Sequence, residues 1–173
     1  MPQFISVDHS MCTGCRTCEV VCSLHHFGEC NPERSAIRVI RREKDGLVFS
    51  LPLVCQQCRQ APCAEACPSE ALFRKSPNDP LTVDKEKCSG CGNCIEACPA
   101  GCIFINNQIN LAVCCDLCGG QPQCVPLCHS SSLTVKNSDE ADNQEGVKRL
   151  ASILEAEDLW GSVPGKEGGA GSP

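Results

Sequence analysis

The stretch Cys88-Ser89-Gly90-Cys91-Gly92-Asn93-Cys94-Ile95-Glu96-Ala97-Cys98-Pro99 decides how this chain is read. Three thiols spaced C-x2-C-x2-C fit one short loop wrapped around a single centre, and Gly90 and Gly92 let the backbone come close. Cys98 follows Cys94 by four residues. On a helical turn that spacing keeps both on one face but moves the fourth thiol a full turn along, so that it points away from its own loop's centre. Pro99 then redirects the chain.

Working outward, the same design recurs along the sequence. Cys12, Cys15, Cys18 and Cys22 repeat the C-x2-C-x2-C-x3-C spacing, with Gly14 inside the loop. Cys55, Cys58, Cys63 and Cys67 are spaced C-x2-C-x4-C-x3-C and are followed by Pro68. Cys115, Cys118, Cys124 and Cys128 are spaced C-x2-C-x5-C-x3-C. These quartets leave Cys30, Cys102 and Cys114 out of the 19 cysteines in 173 residues. Cys102 and Cys114, with Cys30, read as buried small hydrophobes.

Triplets with a displaced fourth Cys suit the [4Fe–4S] cube, which takes four thiolates from different directions. In bacterial two-cluster ferredoxins the fourth Cys of such a run binds the other cluster. Structural zinc prefers two C-x2-C pairs or a Cys/His mixture, and these quartets serve one tetrahedral ion poorly. The C-x3-C-x2-C triplet of radical enzymes, with one open iron, is not supported. Complete quartets leave no iron free for substrate. No Ser-His-Asp pattern, P-loop or dinucleotide fingerprint is present, so the sequence offers no catalytic residues.

Composition agrees. Cysteine makes up about a quarter of the 42% hydrophobic fraction, Tyr is absent and Trp occurs once. Too few aliphatic and aromatic side chains remain for an ordinary core, so bound metal has to fill part of the interior, and folding is expected to depend on it. The cysteine count is odd and no leader is evident at Met1-Pro2-Gln3-Phe4. The expectation is a reducing, cytoplasmic setting with thiols on metal rather than disulfides. No apolar run is long enough to span a bilayer. The net charge of -6 argues against nucleic acid. Arg34, Arg38, Arg41, Arg42 and Lys44 form the one basic stretch, either a solvated strand edge or a docking patch for an acidic partner.

Short strand-like runs lie between the quartets: 37–40, 47–49, 81–83, 103–105 and 133–135. Asp45-Gly46 and Asn106-Asn107 suggest hairpin turns. The cysteine-rich domain is expected over 1–136. Residues 137–145 read as an acidic linker. An amphipathic helix is expected over about 146–160, with Val147, Leu150, Ala151 and Leu154 on one face, before a Gly-rich flexible tail to 173. That helix either packs on its own domain or docks on another subunit or a second copy of the chain, with Trp160 as an anchor.

Residues 4–136 resemble the four-cluster ferredoxin-like electron-transfer subunits of molybdenum or tungsten pterin oxidoreductases, hydrogenases and carbon monoxide dehydrogenases. The stretch Cys22-Ser-Leu-His-His-Phe-Gly-Glu-Cys30-Asn-Pro-Glu-Arg-Ser35, with Ile37-Arg38-Val39, is similar to small iron–sulfur subunits of tungsten aldehyde oxidoreductases. Cys115-Asp-Leu-Cys118 with Cys124-Val-Pro-Leu-Cys128 resembles the family's last motif. Two positions depart from it: His129 stands where Pro is usual, and Cys114 where a basic residue is common.

The resemblance implies an α+β fold of two nested bacterial-ferredoxin-like modules binding four [4Fe–4S] clusters, plus the C-terminal helical extension. It also implies the ligand sets: Cys12, Cys15, Cys18 with Cys128; Cys115, Cys118, Cys124 with Cys22; Cys55, Cys58, Cys63 with Cys98; and Cys88, Cys91, Cys94 with Cys67. The implied function is non-catalytic relay of single electrons between a catalytic subunit and a further redox subunit or carrier. A tungsten or molybdenum pterin aldehyde oxidoreductase is the leading partner, with a hydrogenase, formate dehydrogenase or carbon monoxide dehydrogenase as alternatives. A structural metal-bound interaction module is the reading of another class. His25 and His26 read as a polar loop or as donors near a cluster, and Asp116 as a loop cap or a charged cluster neighbour.

Overall fold

Short apolar runs between the cysteine loops pair off two by two. The computed structural model describes residues 3–44, 46–137 and 140–156. In chain order the elements are β1 (Gln3–Val7), α1 (Thr17–Phe27), β2 (Arg38–Lys44), β3 (Leu47–Leu53), α2 (Pro62–Glu65), β4 (Leu72–Phe73), β5 (Thr82–Val83), α3 (Asn93–Ala97), β6 (Phe104–Asn106), β7 (Leu111–Val113), β8 (Leu133–Asn137) and α4 (Glu140–Ala156). Tight 3-10 turns occupy His9–Met11, Pro32–Arg34 and Leu117–Gly120. The fold is mixed helix and strand, as the resemblance implies.

The described strands form antiparallel pairs: β1 with β8, β2 with β3, β4 with β5, and β6 with β7. Three are local hairpins or near-hairpins. In the longest, Lys44 pairs with Leu47, so the chain reverses in two residues, as an Asp-Gly pair favours. The fourth is long-range: Gln3 pairs with Asn137 and Val7 with Leu133. Sequence periodicity did not signal β1 or the two-residue β4, because so few residues carry no measurable alternation.

Aliphatic side chains and thiols share one core. Ile5, Ile37, Leu51, Leu53, Val54, Leu81, Ile103 and Phe104 are fully or almost fully buried, packed with Cys22, Cys55, Cys63, Cys94, Cys98, Cys115 and Cys124. The thiols thus occupy volume that leucines fill in an ordinary domain.

The C-terminal region differs from expectation in where it begins. The helix starts at Glu140, so much of 137–145 is helical rather than linker, while Asn137 extends β8. Leu150 and Leu154 are buried in the core of the same chain. The apolar face is therefore spent on its own body. Gly146 lies against Gln56 and Phe4, where a Cβ would meet Gln56 Oε1 at 2.5 Å. Trp160 and the expected tail lie outside the described residues. None of the described helices is long and apolar enough to cross a membrane.

The basic stretch is divided rather than presented as one patch. Arg34 pairs with Glu29 at 3.0 Å and donates to Gln108 Oε1 at 2.9 Å. Arg38 donates to the carbonyls of Pro32 and Glu33 and lies over the Phe104 ring. Arg41 is exposed.

Candidate metal centres

Each cysteine loop makes the same turn. The residue just before its second Cys is left-handed in all four: Gly14 (φ +70°), Gln57 (φ +53°), Gly90 (φ +69°) and Leu117 (φ +56°). Two of these carry side chains, which costs roughly 1 kcal/mol each against glycine. The glycines are needed for space as well. A Cβ on Gly14 would meet Ser50 Oγ at 2.5 Å, and one on Gly90 would collide with the carbonyl of Asn110. These contacts press the first loop on β3 and the third on the β6–β7 turn.

The turns bring thiols from distant parts of the chain within electrostatic reach of one another. Cys12 faces Cys15 and Cys128, and Cys18 faces Cys12 and Cys124. Cys115 faces Cys124 and Cys22, and Cys118 faces Cys22. Cys58 faces Cys98, and Cys63 faces Cys98 and Cys58. Cys94 faces Cys88, Cys91 and Cys67. Three further approaches link the groups in a row: Cys94 bears on Cys63, Cys115 on Cys55, and Cys128 on Cys124. The exposed members, Cys15 and Cys91, belong to the groups at the two ends of that row.

Every cysteine is free. Burial pushes the Cys55 and Cys115 thiols far up, and it lifts Cys63 and Cys124 to about 12 and Cys94 to about 11. Crowding by neighbouring thiols adds to each shift. Such groups stay protonated at neutral pH unless a cationic metal replaces the proton. Backbone N–H groups already point at several sulfurs: Ala36 at Cys22, Ala71 at Cys67 and Cys102 at Cys98, each 3.3 Å, and Ala112 at Cys88, 3.4 Å. Burial alone raises Cys67, yet hydrogen bonds from Leu72, Ser69 and Ala71 bring it below the ordinary thiol value. Converging thiols and N–H donors on sulfur fit an anionic iron–sulfur cube well.

Residues 47–138 match the family model described as a 4Fe-4S dicluster domain, a span that takes in the second, third and fourth loops. The polyferredoxin-like subunit of aliphatic sulfonate oxidoreductase from Pyrococcus furiosus is 41% identical over 128 residues, 74% of this chain and 72% of that protein. The chain belongs to the 4Fe–4S dicluster domain family. Another relative is the electron transport protein HydN of Escherichia coli, 32% identical over 179 residues, covering 89% of this chain and 99% of that protein. A chain of the BamBC active site complex of benzoyl coenzyme A reductase aligns over 91% of this one and 96% of itself, at 25% identity and a TM-score of 0.48. This dicluster-family chain is accordingly an electron-transfer iron–sulfur protein that binds multiple [4Fe–4S] clusters, not a catalyst in its own right.

Around the family's cysteines, several residues take roles that spacing did not reveal. Gln57, 1% exposed, donates to the carbonyl of Cys115 at 2.6 Å and accepts from the Leu81 N–H at 2.9 Å. Arg74 donates to the carbonyl of Cys58 at 2.9 Å and to Gln57 Oε1 at 3.2 Å. The signal in the sequence was a polar residue, Gln57, standing where the other loops have Gly or Leu. His129 Nδ1 lies 3.8 Å from Cys15 Sγ, and His26 Nε2 lies 3.8 Å from Cys118 Sγ and 3.4 Å from Asp116 Oδ1. Asp116 also caps its own turn, accepting from Cys118 N at 2.9 Å. Both roles expected of Asp116, loop cap and charged neighbour, are thus combined.

His25, His26 and Cys118 place donor atoms within 4.8 Å of one another. Cys118 also faces Cys22, so the same sulfur borders both the two imidazoles and a thiol group. Cys102 and Cys114 are buried as expected, with their thiols directed at the carbonyls of Ala100 and Leu81. Cys30 is not: it is exposed, in the Gly28–Asn31 segment that leaves α1, where no second layer covers it.

Proposed function

We propose that the chain is a four-cluster relay that carries single electrons between a catalytic oxidoreductase subunit and a second redox partner. The four centres are held by Cys12, Cys15, Cys18 and Cys128; by Cys115, Cys118, Cys124 and Cys22; by Cys55, Cys58, Cys63 and Cys98; and by Cys88, Cys91, Cys94 and Cys67. The first two sets form an outer module closed by the β1–β8 pair, and the other two an inner module nested within it. The observation that carries this reading is the convergence of thiols from separate loops into groups that lie in a row.

When bound, each cluster accepts and releases one electron at a time. The chain's own residues do the rest. Cysteines hold neighbouring centres close by lending a ligand across each pair. Leu53, Val54, Ile103 and Phe104 keep water from the interior. Backbone N–H groups on Cys22, Cys67, Cys88 and Cys98 stabilise added negative charge. The exposed Cys15 and Cys91 mark the two ends as ports, one toward each partner.

The catalytic partner favoured by the motif resemblance is a tungsten or molybdenum pterin enzyme, with an aldehyde as its substrate class. The sulfonate oxidoreductase of which the Pyrococcus relative is a subunit widens that class to sulfonates. A reducing, cytoplasmic setting is the compartment that this reading expects for thiolates held on metal. Anaerobically purified protein is expected to contain about sixteen irons per chain and to give interacting paramagnetic signals on reduction with dithionite. A colourless zinc protein, or about eight irons, overturns the four-cluster relay. An anaerobic pull-down assayed for tungsten and molybdenum tests the partner separately.

A further inference from the structure

His129 follows the last cysteine of the fourth loop, yet its ring reaches back to the first. Nδ1 lies 3.8 Å from Cys15 Sγ, and Nε2 lies 3.5 Å from Thr13 Oγ1. A metal-bound thiolate can only accept a hydrogen bond, so a bare Nδ1 lone pair facing it is repulsive. The arrangement that avoids this puts the ring proton on Nδ1, aimed at the sulfur, with Nε2 as the acceptor; the Thr13 hydroxyl beside Nε2 also borders Cys15, as does that of Thr17. An outer N–H donor of this kind stabilises the extra negative charge of a reduced cluster.

The matching position in the neighbouring group differs in one respect. His26 Nε2 faces Cys118 Sγ at the same 3.8 Å, but Asp116 Oδ1 stands 3.4 Å from that nitrogen. Both are acceptors, so Nε2 carries the proton and shares it between sulfur and carboxylate. The Asp116 carboxylate thus competes for the hydrogen bond that would otherwise serve Cys118 alone. The chain's four histidines are His9, His25, His26 and His129, so the loops of the other two groups contain none.

We propose that His129 is a positioning residue that raises the reduction potential of the centre at the exposed Cys15 end above that of its neighbour at Cys118. The Cys15 end is then where an electron entering the outer pair comes to rest, and the port from which it leaves. This inference rests on the cluster assignment proposed above.

The test is potentiometric titration of the full chain followed by paramagnetic resonance, with iron counted in every sample. H129F and the smaller H129M remove the donor, and H129Q keeps an N–H. One midpoint potential is expected to fall in H129F and H129M and to recover in part in H129Q, with iron content unchanged. Unchanged potentials in H129F at full iron content overturn the role of His129. If H129F loses iron, H129M decides: an unshifted potential in that variant overturns the proposal. Wild-type protein with fewer than four clusters instead overturns the assignment beneath it.

Discussion

The side-chain amide of Gln57 donates to the main-chain carbonyl of Cys115 at 2.6 Å, joining the second cysteine loop to the fourth. The same side chain accepts from Leu81 N–H and from Arg74, whose other nitrogen holds the carbonyl of Cys58. One buried amide therefore fixes the spacing between loops from the two proposed modules.

Replacing Gln57 with Leu tests that tie. Leu117 already adopts the equivalent left-handed backbone in the fourth loop, so the substitution mainly removes hydrogen bonds. It strands the Cys115 carbonyl and the Leu81 N–H in a buried setting. Stability is expected to fall by about 3 kcal/mol, measured by thermal or denaturant unfolding of the iron-loaded protein.

Ligand crossover gives a non-additive signature. If Cys22 serves the centre of Cys115, Cys118 and Cys124, then C22A costs about four irons per chain, and C22A/C124A costs no more. C22A/C12A is expected to cost about eight, because it strikes two centres. Iron analysis of the three proteins checks this.

Leu154 is fully buried beneath α4, with Leu150 beside it. L154A leaves a cavity in the core and is expected to cost about 2–5 kcal/mol of stability. Because that face is packed on its own chain, the variant is expected to keep the elution volume of the wild type in size-exclusion chromatography while melting earlier.

Asp8 carries a pH dependence. Hydrogen bonds from Ser10 hold its carboxyl below the usual 3.8, with Oδ1 accepting from the Ser10 hydroxyl at 2.6 Å and its N–H at 3.1 Å. A carboxyl whose pKa is lowered by folding adds stability above its unfolded value and loses it as pH falls through the folded one. D8N is thus expected to be less stable than wild type at neutral pH and equal to it once the pH is well below 3.8, as urea unfolding at a series of pH values will show.

The cysteine quartets were legible in the sequence because metal ligation imposes fixed spacings, whatever the rest of the chain does. So was the β2–β3 hairpin, where seven-residue strands flank Asp-Gly. The shorter elements were not: β4 is held by two paired residues, and β1 forms only against a strand more than a hundred positions away. The onset of α4 at Glu140 was hidden by polar residues that suit a linker equally well. Cys30 was misjudged because burial of a thiol depends on what packs over it, which local sequence does not encode. His129 stood out only as a departure from the family motif and Gln57 not at all, since each acts on a loop far away in the chain.

The pairing of Gln3–Val7 with Leu133–Asn137 sets a schedule for biogenesis. During translation the amino-terminal strand emerges long before its mate, so for most of synthesis the first cysteine loop waits without the companion that closes it. The loops between them can be metallated while the polypeptide is still on the ribosome. The terminal loops can be completed only once residues 133–137 are made, and on the proposed ligand sets a product that stops before Cys124 would present six thiols, Cys12, Cys15, Cys18, Cys22, Cys115 and Cys118, to oxygen and to stray metal.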